Sequence, residues 1–307
     1  MQSESSLKRG DVYTRVTSEI IQAIEDGIGE YSMPWHRSAS SGIPRNAATQ
    51  NLYRGVNILA LWSTSCLRGY TSPFWATYRQ WSETGAQVRH GEKASVIIFF
   101  KPKETENEED VNDDKTNQFK FIARSSFVFN AEQVDGWEKS DEPPMEDRTH
   151  RLEAVDEFIS ALQSKIQYGG DIASYSKILD RIRMPERCRF VGTETSSATE
   201  AFYSVLLHEH VHWSGHQKRL NRDLSGRFGT SAYAMEELVA ELGAAFLCAD
   251  LGISVQARRD HAVYARSWLV VLREQKTAIV TASAAAMTAC HYMREVVSRN
   301  SNMLESV

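Results

Sequence analysis

The sequence predicts an α+β protein of two domains: a mixed α/β domain first, then a helix-rich domain with a small sheet. Three observations predict it. The chain has 307 residues, long for one core when about 100–200 residues per domain is ordinary. Its first half mixes short helical and strand patterns, whereas from Ser197 onward the periodicity is chiefly helical. A polar stretch, Gly136 to Thr149, includes Asp141-Glu142-Pro143-Pro144 and reads as a linker. The expected domains are therefore residues 1–135 and 150–307, joined by 136–149.

Each element follows from its residues. Val12, Val16, Ile20 and Ile24 recur every four positions, Asp11 caps the start and Gly27 follows, so Asp11–Asp26 reads as a helix. Gly55–Leu67 gives a second apolar helix, and Thr77–Thr84 a third closed by Gly85. Ala94–Lys101 is a Val/Ile/Phe run too short for a buried helix and reads as a strand. Phe119–Asn130, with Phe119, Phe121 and Ala123 alternating, reads as its partner. Residues 104–117 between them hold almost no apolar side chain and read as a mobile acidic loop, with mimicry of DNA charge as the alternative. In the second domain Leu152, Val155, Phe158, Ile159 and Leu162 form a helical stripe, and Asp171–Tyr175 and Arg187–Val191 look like strands. Ser197–Ser214, Ala232–Leu251, Arg258–Gln275 and Lys276–Arg294 read as helices.

Composition narrows the function classes. With 42% hydrophobic and 24% charged residues the chain is an ordinary globular one. No run approaches the roughly 18 apolar residues of a membrane span, and Met1–Arg9 has no apolar signal core, so a cytoplasmic protein without a membrane partner is expected. Cys66, Cys188, Cys248 and Cys290 lie too far apart for zinc-finger or redox motifs and read as reduced core thiols. Residues 1–103 hold 12 Lys/Arg against 8 Asp/Glu, a net +4 that makes this the basic section, suited to a polyanion.

His208-Glu209-His210-Val211-His212 carries the most specific chemistry. Positions i and i+4 share a helix face, so His208 and His212 can close on one metal ion, zinc or another divalent cation. Glu209 then leans toward a water at that metal and can take its proton, as in metallopeptidases. A catalytic zinc needs three protein ligands, and the downstream helix beginning Glu236-Glu237-Leu238-Val239-Ala240-Glu241 is the best source of the third. Glu237 is expected as ligand and Glu241 as acceptor of a ligand histidine's N–H; the reverse assignment stays open. Glu236, turned about 100° away, is a weaker candidate. His216 is an alternative third ligand, and His210 faces elsewhere as a surface or packing residue.

The first 81 residues hold four of the seven tryptophans, Trp35, Trp62, Trp75 and Trp81, interleaved with Tyr31, Tyr53, Tyr70, Phe74 and Tyr78. Arg45, Arg54, Arg68, Arg79, Arg89 and Lys93 lie among them or just after. Single-stranded nucleic acid is held by such a pairing, because rings stack on bases while cations follow phosphates. The competing reading makes most of these rings core, Trp62 and Trp81 above all.

His208–His216, Arg219-Leu220-Asn221-Arg222 and Tyr233–Leu242 together resemble the plasmid-borne ArdC antirestriction family. The first half is similar to that family's N-terminal domain and to the accessory region of TraC primases. The similarity there rests on Pro34-Trp35, Asn46, Tyr53-Arg54-Gly55-Val56-Asn57, Trp75-Ala76-Thr77, Gln80, Gly85 and Gly91-Glu92-Lys93. The resemblance implies an N-terminal domain that binds single-stranded DNA and a zincin-type metallopeptidase domain. It also implies a whole protein that protects incoming conjugative plasmid DNA from host restriction endonucleases. Carried over by position, the ligands are His208, His212 and Glu237, with Glu209 as general base. Arg45, Asn46, Tyr53, Arg54, Asn57, Trp75, Gln80 and Lys93 are the candidate DNA-binding residues. His210 departs from the pattern, which has an apolar residue there. A rival role is a protease that cleaves proteins encountered on DNA, and whether the site cuts anything is open at this point.

Overall fold

The computed structural model describes residues 9–28, 33, 42–102, 121–137, 148–192, 196–227, 230–253 and 261–305. The expected acidic loop 104–117, most of the linker 136–149, and Pro34-Trp35 lie outside these residues.

The N-terminal part opens with α1 (Arg9–Ile28), in which Val16, Ile20 and Ile24 are fully buried as their spacing requires. Helix α2 (Val56–Arg68) follows Gly55 and ends at Gly69, whose φ of 75° supplies the left-handed cap. A four-stranded sheet has the order β1-β2-β5-β4. Its strands are β1 (Arg45–Asn46), β2 (Phe74–Ala76), β4 (Ser95–Pro102) and β5 (Phe121–Asn130). The last two form the expected antiparallel pair, in register from Ser95↔Val128 to Pro102↔Phe121. Short helix α3 (Tyr78–Glu83) begins in a reciprocal cap between Thr77 and Gln80, and β3 (Gln87–Val88) pairs antiparallel with β6 (Val134–Asp135).

The C-terminal part runs α4 (Arg148–Ala161), a three-stranded sheet, then α5 (Ala198–Ser214), α6 (Ser231–Asp250), α7 (His261–Glu274) and α8 (Ala278–Glu305). The sheet order is β7-β9-β8, from β7 (Ile166–Tyr168), β8 (Ser174–Ser176) and β9 (Arg181–Met184), so β8 lies at an edge. Two expectations fail here. Arg187–Val191 is not a strand, because Pro185 ends the alternating Arg181-Ile182-Arg183-Met184 run and Arg187–Arg189 turn as a 3-10 helix. The last helix passes Arg294 because no Gly or Pro stops it. The thiols also divide: Cys248 and Cys290 are buried, whereas Cys66 and Cys188 are exposed and are not core residues.

The two parts meet across packed apolar surface. Buried side chains of α1 and α2 join those of α6 and α7 in one cluster, with Trp62 and Phe246 ring centroids 5.9 Å apart. Thr17 Oγ1 donates to the Lys276 carbonyl at 2.8 Å, and Arg273 pairs with Glu25. A separate small cluster, including Phe74, Ala76 and Trp81, backs the far end of the N-terminal sheet. Helices α5 and α6 approach closely where Gly243 faces Val211; a Cβ there would lie 2.7 Å from Val211 Cγ2.

Candidate metal centre

Helix α5 starts where Ser197 accepts the Glu200 N–H and Glu200 reaches back to Ser197, and it runs without a break through both histidines. His208 and His212 therefore share a face, and Glu237 comes to them from α6. His208 Nε2 and His212 Nε2 are 3.2 Å apart, and the Glu237 carboxylate lies 3.7 Å from the first and 3.5 Å from the second. A tetrahedral ion with bonds of about 2.0–2.2 Å separates its ligands by about 3.3–3.6 Å, so the triangle has the right size. Among the described residues these are the three donors that converge this way. His216 is buried apart from them, its Nδ1 accepting the Lys218 N–H at 3.2 Å.

Proton placement supports the same conclusion. His212 Nδ1 lies 3.0 Å from Glu236 Oε1, and since a carboxylate only accepts, the nitrogen carries the hydrogen. In the neutral ring His212 Nε2 is then a lone pair facing a second imidazole nitrogen and a carboxylate, a donor set that a cation would satisfy. Burial alone would raise the Glu237 pKa, but hydrogen bonds from His208 and Tyr233, and the charge of either imidazole when protonated, hold it below the ordinary carboxylate value.

Glu236, ranked low from its angle on the helix, is the acceptor for His212. Arg222 fixes it with two hydrogen bonds, Nε to Oε2 at 3.0 Å and Nη2 to Oε1 at 2.9 Å. The same guanidinium donates to Ser214 Oγ and the Val211 carbonyl, tying the support to the end of α5. The Glu241 carboxylate lies 3.7 Å from His208 Nδ1, beside the other imidazole but beyond hydrogen-bond distance. His210 is a packing residue: it is fully buried, with Nδ1 2.8 Å from the Leu206 carbonyl and Nε2 2.8 Å from Ser164 Oγ.

A cavity of about 380 Å³ opens onto the ligands and Glu209. Edge strand β8 contributes Ser174 and Tyr175 to one side, and Asp223, Leu224 and Tyr233 line it as well. Arg219 braces that wall, bonding Asp180, the Tyr175 hydroxyl and the Trp213 carbonyl. Arg222, Arg219 and Tyr233 stood in the motifs that carry the resemblance, but sequence reasoning gave them no role. The available signal for Arg222 was that both metal histidines, not one, need an acceptor and that acceptor a counter-charge.

The N-terminal candidates separate into three groups. Arg45, Arg54 and Lys93 are exposed. Asn46, Tyr53 and Gln80 form one polar network, with the Asn46 amide donating to the Tyr53 hydroxyl at 3.3 Å and to Gln80 Oε1 at 3.2 Å. Asn57 and Trp75 are structural here. The Asn57 amide holds the Ile98 N–H and carbonyl, and Trp75 is 0% exposed, its ring against Tyr70, so no face is open to a base.

Both halves of the chain are similar to known proteins. Residues 10–129 match the model of the N-terminal domain of anti-restriction factor ArdC, and residues 153–285 that of a zincin-like metallopeptidase. The chain is 43% identical over 287 residues to the uncharacterized protein y4eC of Sinorhizobium fredii (strain NBRC 101917 / NGR234), covering 92% of this chain and 91% of that one. It is 33% identical to DNA primase TraC of Escherichia coli across 89% of this chain but only 26% of the primase. The crystal structure of the antirestriction ArdC protein from plasmid R388, metal-free, superposes with a TM-score of 0.74 at 33% identity, covering 94% of this chain and 98% of that one. The Mn(II)-bound form of that protein gives 0.73 at 32% identity over the same shares. With both halves matched in order along nearly its whole length, the chain belongs to the ArdC antirestriction family.

Proposed function

We propose that this chain is an antirestriction protein that grips single-stranded DNA with its N-terminal domain, near residues 1–135, and protects incoming conjugative plasmid DNA from host restriction endonucleases. Its C-terminal domain, near 150–307, holds a divalent ion, zinc by donor chemistry, at His208, His212 and Glu237. The observation that carries the reading is the likeness to an antirestriction protein over 94% of the chain. Exposed Arg45, Arg54 and Lys93 suit a phosphate backbone, which predicts binding that weakens steeply with salt. Among the described residues no helix is long and apolar enough to cross a membrane.

The cavity beside Glu209 favours a second reading, a metalloprotease that cleaves proteins encountered on DNA. A bound divalent ion would polarise a scissile carbonyl. Glu209 would take a proton from water at the cavity floor and pass it to the leaving amine. Glu236 and Arg222 keep His212 in the tautomer that faces the donor set, and the open side of β8 offers main-chain partners to an extended peptide. The deciding experiment is conjugative transfer into a restricting host with Glu209→Ala. Full protection leaves the DNA-binding reading and removes proteolysis as its cause; lost protection with intact DNA binding does the opposite. Metal analysis of the purified protein tests the ion.

A further inference from the structure

A second cavity, of about 520 Å³, lies on the N-terminal domain beside the β3–β6 pair, lined by Tyr78, Gln87, Arg89, His90, Phe129 and Asp135 among others. Tyr78 and Arg89 were among the rings and cations noted in the sequence, but none of the six is among the residues carried over as DNA-binding candidates. Tyr78 is 53% exposed, unusual for a large ring, and stands edge-on to Phe129 with centroids 6.5 Å apart. Its hydroxyl accepts from Gln87 Nε2 at 2.8 Å, so the ring is held before any ligand arrives. Arg89 is fixed as well. It bonds Glu92 at 3.0 Å, Asp135 at 3.5 Å and the Glu132 carbonyl, which makes the guanidinium a flat, oriented wall rather than a free cation. Aromatic and guanidinium planes are what unstacked bases lie against. The acids alongside disfavour a phosphate here, whereas the Asp135 carboxylate, 70% exposed, can accept from an exocyclic amine.

We propose that this cavity is a base-binding subsite that takes one unstacked nucleobase bearing an exocyclic amino group. The inference rests on the single-strand reading above and deepens it: exposed cations follow the backbone while this corner of rings holds a base. Titration of the full-length protein with fluorescent single-stranded oligonucleotides tests it. Wild type should prefer oligo-dC over oligo-dT, and Tyr78→Ala should weaken oligo-dC about 5- to 100-fold. Tyr78→Phe should stay within about twofold of wild type, because the ring rather than the hydroxyl stacks, and Asp135→Asn should narrow the dC over dT preference. Wild-type binding that Tyr78→Ala leaves unchanged, with a folded variant by circular dichroism, removes the subsite alone. A wild type that binds neither oligonucleotide removes the single-strand reading and the subsite with it.

Discussion

Polar groups at the metal centre and on the N-terminal face are held in opposite ways. Around His208 and His212 the supporting charged groups are largely buried and held by fixed partners: Glu236 on Arg222, His212 on Glu236, Arg219 on Asp180. On the N-terminal face Arg45, Arg54 and Lys93 reach solvent, while the polar residues between them bond one another. The difference fits the ligands proposed for the two regions. A small ion demands donor atoms placed to within a few tenths of an ångström, whereas a flexible polyanion is better served by cations that can move with it.

The comparison can be broken at either end, and the largest effect is expected at the ion. His208→Ala removes one of three donors and should lower metal affinity by more than the 10- to 100-fold typical of losing a supporting residue; near wild-type affinity by calorimetry would take His208 out of the site. Trp75→Ala should cost about 3–5 kcal/mol in urea unfolding if the indole is core. A stable variant with weakened DNA binding would instead restore Trp75 as a platform. Glu236→Gln keeps the shape but weakens the hold on His212, so metal affinity should fall about 10- to 100-fold without unfolding. Acid should loosen the cavity wall. Hydrogen bonding from Arg219 leads the effects that hold the Asp180 carboxyl at about 2, below the ordinary 3.8. Its contribution is therefore present above pH 4 and lost as pH falls through 2, and Asp180→Asn should flatten that part of the stability profile. The smallest effect belongs to Arg54→Gln, which should reduce the salt slope of single-strand binding by about 0.7; an unchanged slope would remove Arg54 from the phosphate path.

The convergence of His208, His212 and Glu237 was legible because it is a matter of helix geometry. Four-residue spacing places His208 above His212, and a carboxylate on the next apolar helix completes the set. Its supports were less legible because they depend on where the turn after α5 returns the chain. Arg222 lies ten residues after His212, and nothing in the spacing says that it comes back to Glu236. Helix boundaries of the C-terminal half fell within a few residues of expectation except at the end of the last helix, which runs on to Glu305, and the small sheet was not legible, since strands of three or four residues carry too few side chains to show a period. On the N-terminal side the same letters serve two purposes. Asn57 and Asn46 look alike in sequence, and only tertiary contact separates the one that braces β4 from the one in the half-buried network with Tyr53 and Gln80.

Gly243 sets the spacing on which the whole centre depends. It stands against Val211, itself one residue before His212, and a branched side chain in a helix has little freedom to swing aside. Any methyl group there would wedge α6 outward and carry Glu237, six residues earlier on the same rod, away from the imidazoles. Gly243→Ala should shift preference toward cations with longer metal–oxygen bonds, a change in selectivity made without touching a ligand.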